Sequence, residues 1–121
     1  SSSFVGEIFS PSDHPTNEQR RDNYAKKLHE FSQNKVSVDN GMVKVNGKDF
    51  LSPAPAAGMS TAERSYFVAG NLAAVYHTQA QTVPDAWVQD GTVLLGNQPI
   101  ITPQNGDPSA QELANRLNTI K

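Results

Sequence analysis

The stretch VDNGMVKVNGKDFLSP, from Val38 to Pro53, and the stretch VQDGTVLLGNQPIITP, from Val88 to Pro103, are one phrase written twice, fifty residues apart and without a gap. Each alternates apolar and polar residues around two tight turn signals. Asn-Gly or Asp-Gly between alternating apolar residues is the strongest short-range hairpin signal, because both turn residues must accept positive φ. Val36–Leu51 therefore reads as a three-strand meander turning at Asn40-Gly41 and Asn46-Gly47. The second meander, opened by Trp87, turns at Asp90-Gly91 and Gly96-Asn97.

The likeness extends beyond the meanders. NYAKKLH (Asn23–His29) matches NLAAVYH (Asn71–His77) with a two-residue gap, and GMSTAE (Gly58–Glu63) matches GDPSAQE (Gly106–Glu112) with a one-residue slip. IFSP at Ile8–Pro11 repeats the phrase that closes each meander, FLSP and IITP. The order is strand, helix, meander, helix, meander, helix. The expectation is one α+β domain over 1–121, with two small antiparallel β-meanders and three helices in a pseudo-two-fold internal duplication. The repeats fall at about 8–57 and 50–105, and a closing helix at 109–119. Neither half holds enough apolar surface for its own core, so the halves must share one.

The helices have their own signatures. Segment 4–11 reads as a short strand, followed by a turn at Pro15. Thr16 or Asn17 caps a first helix running to about Ser32, with Tyr24, Leu28 and Phe31 on one stripe. Ser60 and Glu63 form a capping box for the second helix, which is apolar or small almost all round from Tyr66 to Tyr76, the pattern of a buried centre. The last helix carries Leu113, Leu117 and Ile120 at i, i+4 and i+7.

Composition narrows the chemistry. Net charge is −2, with only 18% charged residues, so nothing draws a polyanion and nucleic acid is not an expected partner. Arg20, Arg21, Lys26 and Lys27 read as a solvated helix face. There is no cysteine, hence no disulfide or thiolate chemistry. No run approaches the ~20 apolar residues of a membrane span, so the chain itself is not expected to insert in a membrane. It opens on Ser1-Ser2-Ser3 and is rich in Asn, Gln and Thr. That favours an extracytoplasmic protein, secreted or anchored through a removed N-terminal segment.

No catalytic constellation stands out. His29 and His77 occupy matching repeat positions near helix ends, as a symmetric metal or acid–base pair or as histidines placed favourably at helix C-termini. No third ligand has suitable spacing, so no metal or cofactor is expected. Asp13-His14 lacks a Gly-x-Ser-x-Gly elbow. Glu63 and Glu112 fall in first helical turns, where the dipole stabilises acids. Trp87, the only tryptophan, is either core or a binding hot spot. Phe50 with Met42 and Met59 offers an apolar patch beside the first meander, and Pro53 and Pro55 stiffen the loop that follows.

The DGTV…ITP pattern, together with FLSPAPAAGMSTAERSYFVAG, resembles the second half of S-layer homology repeats, which anchor proteins to cell-wall polymers. The Trp-Ala helix and the Gly-Ile-Ile stretch of that family are missing here, so the resemblance is one of strand–loop–helix order. The expected function is a non-enzymatic binding or assembly module for a protein or cell-envelope partner, with Trp87, Phe50, Met59, Pro53 and Pro55 as binding residues. A homo-oligomer through a meander edge is a further expectation. The alternatives are a small hydrolase or lyase with a site between the halves (His29, His77, Glu63), and a stoichiometric inhibitor or immunity protein.

Overall fold

A computed structural model describes residues 18–79 and 81–121, with side chains from 23 onward. The strand expected at 4–11, its IFSP phrase, Asp13-His14, the Thr16/Asn17 cap and the Arg20-Arg21 side chains lie outside the described residues. The elements run α1 (Glu18–Phe31), β1 (Val36–Asp39), β2 (Met42–Val45), β3 (Lys48–Leu51), α2 (Thr61–Gln79), β4 (Ala86–Gln89), β5 (Thr92–Leu95), β6 (Gln98–Ile101) and α3 (Ala110–Ile120). The fold is α+β, with two separate three-stranded antiparallel sheets in the orders β1-β2-β3 and β4-β5-β6.

The turns form where the sequence asks for them. Asn40 and Gly41 both take positive φ (50° and 82°), as a two-residue hairpin loop of matching twist requires. Asp90-Gly91 repeats this in the second sheet (52° and 78°), but at its second turn the order reverses to Gly96-Asn97, with Gly96 at φ 64°. A Cβ there would stand 2.6 Å from Pro84 Cγ, so only glycine fits.

Every cross-strand pair of the first sheet recurs fifty residues on. Val36↔Val45 and Val38↔Val43 correspond to Ala86↔Leu95 and Val88↔Val93. Both sheets carry a β-bulge at the same place. Lys44 faces Asp49 but Val43 faces Leu51, leaving Phe50 as the extra residue; Leu94 faces Pro99 but Val93 faces Ile101, leaving Ile100. A bulge breaks alternation. Phe50 and Leu51 can therefore both point inward, as can Ile100 and Ile101, and all four are buried.

One core joins both sheets to all three helices. Central α2 packs on α1, on β1 and β2, and on β6, while α3 packs on β4, β5 and β3. Each of these two helices thus touches both sheets. Arg116 of α3 donates to the bulge carbonyl of Phe50 (2.7 Å), and Asn71 of α2 donates to that of Ile100 (3.0 Å). These are backbone acceptors that a bulge leaves out of the ladder, and buried ones must find partners.

The outer edges are partly closed. Val36 on β1 donates its N–H to Ser32 Oγ (2.9 Å) and accepts at its carbonyl from His29 Nδ1 (2.9 Å). Ala86 on β4 is held at both backbone groups by the Asn118 carboxamide (2.8 and 3.0 Å). Four-residue strands plugged in this way leave little edge for another chain to pair with. No helix among the described residues is long and apolar enough to cross a membrane.

Candidate binding face

Register decides which side chains leave the core. In the second sheet Trp87 stands opposite Leu94, and Leu94 opposite Pro99. This row faces away from the buried residues Ala86, Val93, Leu95 and Ile100. Gln89 and Thr92 form the next row, and the Thr92 hydroxyl meets that of Thr102 at 2.8 Å. Trp87 is 42% exposed. Its Nε1 donates to the Gly96 carbonyl at 2.7 Å. Gly96 lies two residues past Leu94, the direct partner of Trp87, so the indole lies diagonally across β5 instead of standing away from it. The N–H edge of the ring is thereby tied to the turn while much of the indole meets solvent.

The first sheet has a different chemistry at the same positions. The row equivalent to Trp87–Leu94–Pro99 is Ser37–Lys44–Asp49. Lys44 lies between Asp39 (3.9 Å) and Asp49 (3.8 Å) in a loose, exposed charge ladder. Such pairs are worth little for stability. One scaffold thus carries a charged face on one sheet and an uncharged aromatic face on the other.

Pro99 also borders a cleft of about 270 Å³ between β6 and the first half of α2, where Met59 and Phe67 contribute apolar surface. Arg64 lines the cleft, and its Nη1 is engaged within the fold. Its guanidinium meets Asp107 Oδ2 at 2.9 Å and donates to the Ala54 carbonyl. Asp107 also accepts from the N–H groups of Ala54 (2.7 Å) and Gln104 (2.8 Å). Burial on its own would raise the Asp107 carboxyl. The two amides and the guanidinium outweigh it and hold the group below the ordinary carboxylate range. Arg64 and Asp107 together clamp the loop after β3 to the loop after β6.

The other candidates separate. Ser60 and Glu63 form the expected capping box, with Glu63 Oε1 on the Ser60 N–H (2.9 Å) and Ser60 Oγ on the Glu63 N–H (3.2 Å). His77 lies fourteen residues further along α2, about 21 Å away at 1.5 Å per residue. It stacks on Phe31 (centroids 3.8 Å apart) and donates from Nδ1 to the Phe31 carbonyl (3.0 Å). His29 serves Val36 instead. The expected site from His29, His77 and Glu63 is therefore not assembled, because its acid and one base sit at opposite ends of one helix. Among the described residues no three His, Asp or Glu side chains are grouped to hold a metal.

Of the five expected binding residues, Trp87 and Pro55 are exposed and Met59 is half-buried. Phe50 and Pro53 are buried. The bulge turns Phe50 inward beside Leu51. Leu94, Pro99 and Phe67 were missed as surface residues. For Leu94 and Pro99 the signal was available, since two-residue turns at Asp90-Gly91 and Gly96-Asn97 fix their parity with Trp87.

Compared with protein-family models, curated proteins and solved structures, the chain matches none.

Proposed function

We propose that this chain is a non-enzymatic binding or assembly module, extracytoplasmic, built from two copies of one meander–helix unit. The observation that carries this reading is the aromatic row Trp87–Leu94–Pro99 where the sister sheet carries Ser37–Lys44–Asp49. A partly exposed tryptophan in one row with Leu94 and Pro99 makes an apolar patch, and tryptophan is enriched at contact hot spots. The shared fifty-residue register and the paired bulges support the two-copy origin. One copy kept a solvated face and the other gained a contact surface.

The test is affinity capture from envelope and soluble extracts of the source cells, with wild type, Trp87→Ala and Lys44→Ala side by side. The expected result is a partner lost with Trp87→Ala and kept with Lys44→Ala. Retention of nothing, or equal retention by all three, overturns the reading. Recovery of the native protein only from cytosol overturns the extracytoplasmic part.

The loop after β3 favours a second reading, a stoichiometric inhibitor or immunity protein. Ala56 and Met59 exchange both backbone bonds (3.0 and 2.9 Å) across Ala57 and Gly58, which both take positive φ. The Asp107–Arg64 clamp holds the base of this loop at Ala54, so Pro55 to Gly58 form a rigid tip suited to a cleft. A titration that silences a hydrolase or nuclease at one-to-one stoichiometry, weakened by Ala57→Asp, would establish it; no break point with any enzyme of the source organism sinks it.

A further inference from the structure

Resting on the binding-module reading, we infer that the outer face of the second sheet is a site for a neutral oligosaccharide. Its outward side chains are Trp87, Gln89, Thr92, Leu94, Pro99 and Thr102, and none is ionisable. The indole N–H is already used on Gly96, so what the ring offers a ligand is its π face. That face suits a partner with a flat, weakly apolar C–H surface and polar edges, which is the build of a pyranose ring. The polar edge has its counterpart in the next row. The Thr92–Thr102 hydroxyl pair shares one of its two protons, leaving the other to donate outward. The Gln89 carboxamide is exposed and makes no bond among the described residues. Gln89 follows Trp87 by two strand residues, about 7 Å, roughly the length of one sugar ring.

Charge and area exclude the nearest competitors. The face holds no cation, and the adjoining acid, Asp90 in the turn, would repel an acidic polymer. Three strands about 4.8 Å apart and four residues long present a face of under ~200 Å². A stable interface with a second copy of this chain needs about 800 Å² per partner. A few sugar rings fit the smaller area.

The test uses an array of uncharged oligosaccharides of hexoses and N-acetylhexosamines, with acidic glycans as controls. Any neutral glycan retained is then titrated in solution against tryptophan fluorescence, which reports on Trp87 alone because the chain has no other tryptophan. The expected result is a saturable blue shift. Read by titration calorimetry, which serves the variants that lack the fluorophore, Trp87→Ala should weaken binding by at least about tenfold, Gln89→Ala by a few-fold, and Lys44→Ala should leave it unchanged. If Trp87→Ala fails to fold by circular dichroism, Trp87→Phe and Gln89→Ala decide. Retention of no neutral glycan, retention of acidic glycans only, or binding indifferent to these substitutions overturns the inference. A blank array beside a Trp87-dependent protein capture overturns the glycan and leaves the module reading standing. A blank in both removes both.

Discussion

Replacing Asp107 by alanine tests how the two loops are held together. The Asp107 side chain is fully buried and Arg64 is 9% exposed, so solvent screens their contact weakly. The substitution strands the guanidinium with the Ala54 carbonyl as its remaining acceptor, and strands the amides of Ala54 and Gln104. Breaking a buried pair from one side costs about 3–5 kcal/mol. The part-buried Ala54 amide adds up to about 1–3 kcal/mol in the same direction, whereas the exposed Gln104 amide turns to water at little cost. An expected loss of about 3–4 kcal/mol follows. Urea unfolding read by Trp87 fluorescence and far-ultraviolet dichroism measures it. Arg64→Met with Asp107→Ala removes the orphaned charge as well, so the double variant should be more stable than Asp107→Ala alone. Acid supplies an independent check. The folded Asp107 carboxyl lies below its unfolded value near 3.9. Its contribution is complete above that value and disappears as pH falls through the folded one. Asp107→Asn should flatten this part of the acid limb. An Asp107→Ala loss under about 1 kcal/mol, or an acid limb that Asp107→Asn leaves unchanged, would refute the clamp.

Three further expectations concern single side chains. The Tyr76 hydroxyl is buried without a hydrogen-bond partner among the described residues and burial pushes its pKa up to about 12, so Tyr76→Phe should be neutral or stabilising by up to about 1 kcal/mol in urea unfolding. Because the folded pKa lies above the unfolded one near 10, wild-type stability should decline as pH rises from about 10 towards 12, and Tyr76→Phe should lessen that slope. Phe50→Ala should cost about 3–5 kcal/mol while Trp87→Ala costs far less, a contrast that thermal unfolding separates. Ser109→Ala removes the acceptor on the Glu112 N–H (3.2 Å) that caps α3 and should cost about 1 kcal/mol by the same assay.

The turns were legible because their dipeptides leave the backbone few options, and with them both meanders, the capping box of α2 and its buried centre. The bulges were not. Nothing in Phe50-Leu51 or Ile100-Ile101 announces two adjacent inward residues, and a strict two-residue period assigns one of each pair to solvent. The Arg64–Asp107 clamp spans forty-three residues and leaves no local pattern. Trp87 lay between: its shared parity with Gln89 and Thr92 pointed outward, while its hydrophobicity pointed inward. The histidines misled because matching positions in a sequence repeat need not face one another. His29 closes the turn into β1, and His77 reaches back to the end of α1.

The exchanged contacts of Arg116 with Phe50 and Asn71 with Ile100 bear on how the chain can come apart. Each helix after a meander finishes the backbone bonding of the other sheet, so neither half keeps its polar groups satisfied when the other melts. Opening one half exposes the apolar underside of both sheets at once. Heating should therefore produce a single calorimetric transition, and amide exchange in β2 and β5 should proceed through one common opening event. A cut between α2 and β4 would yield two fragments that fold only upon meeting.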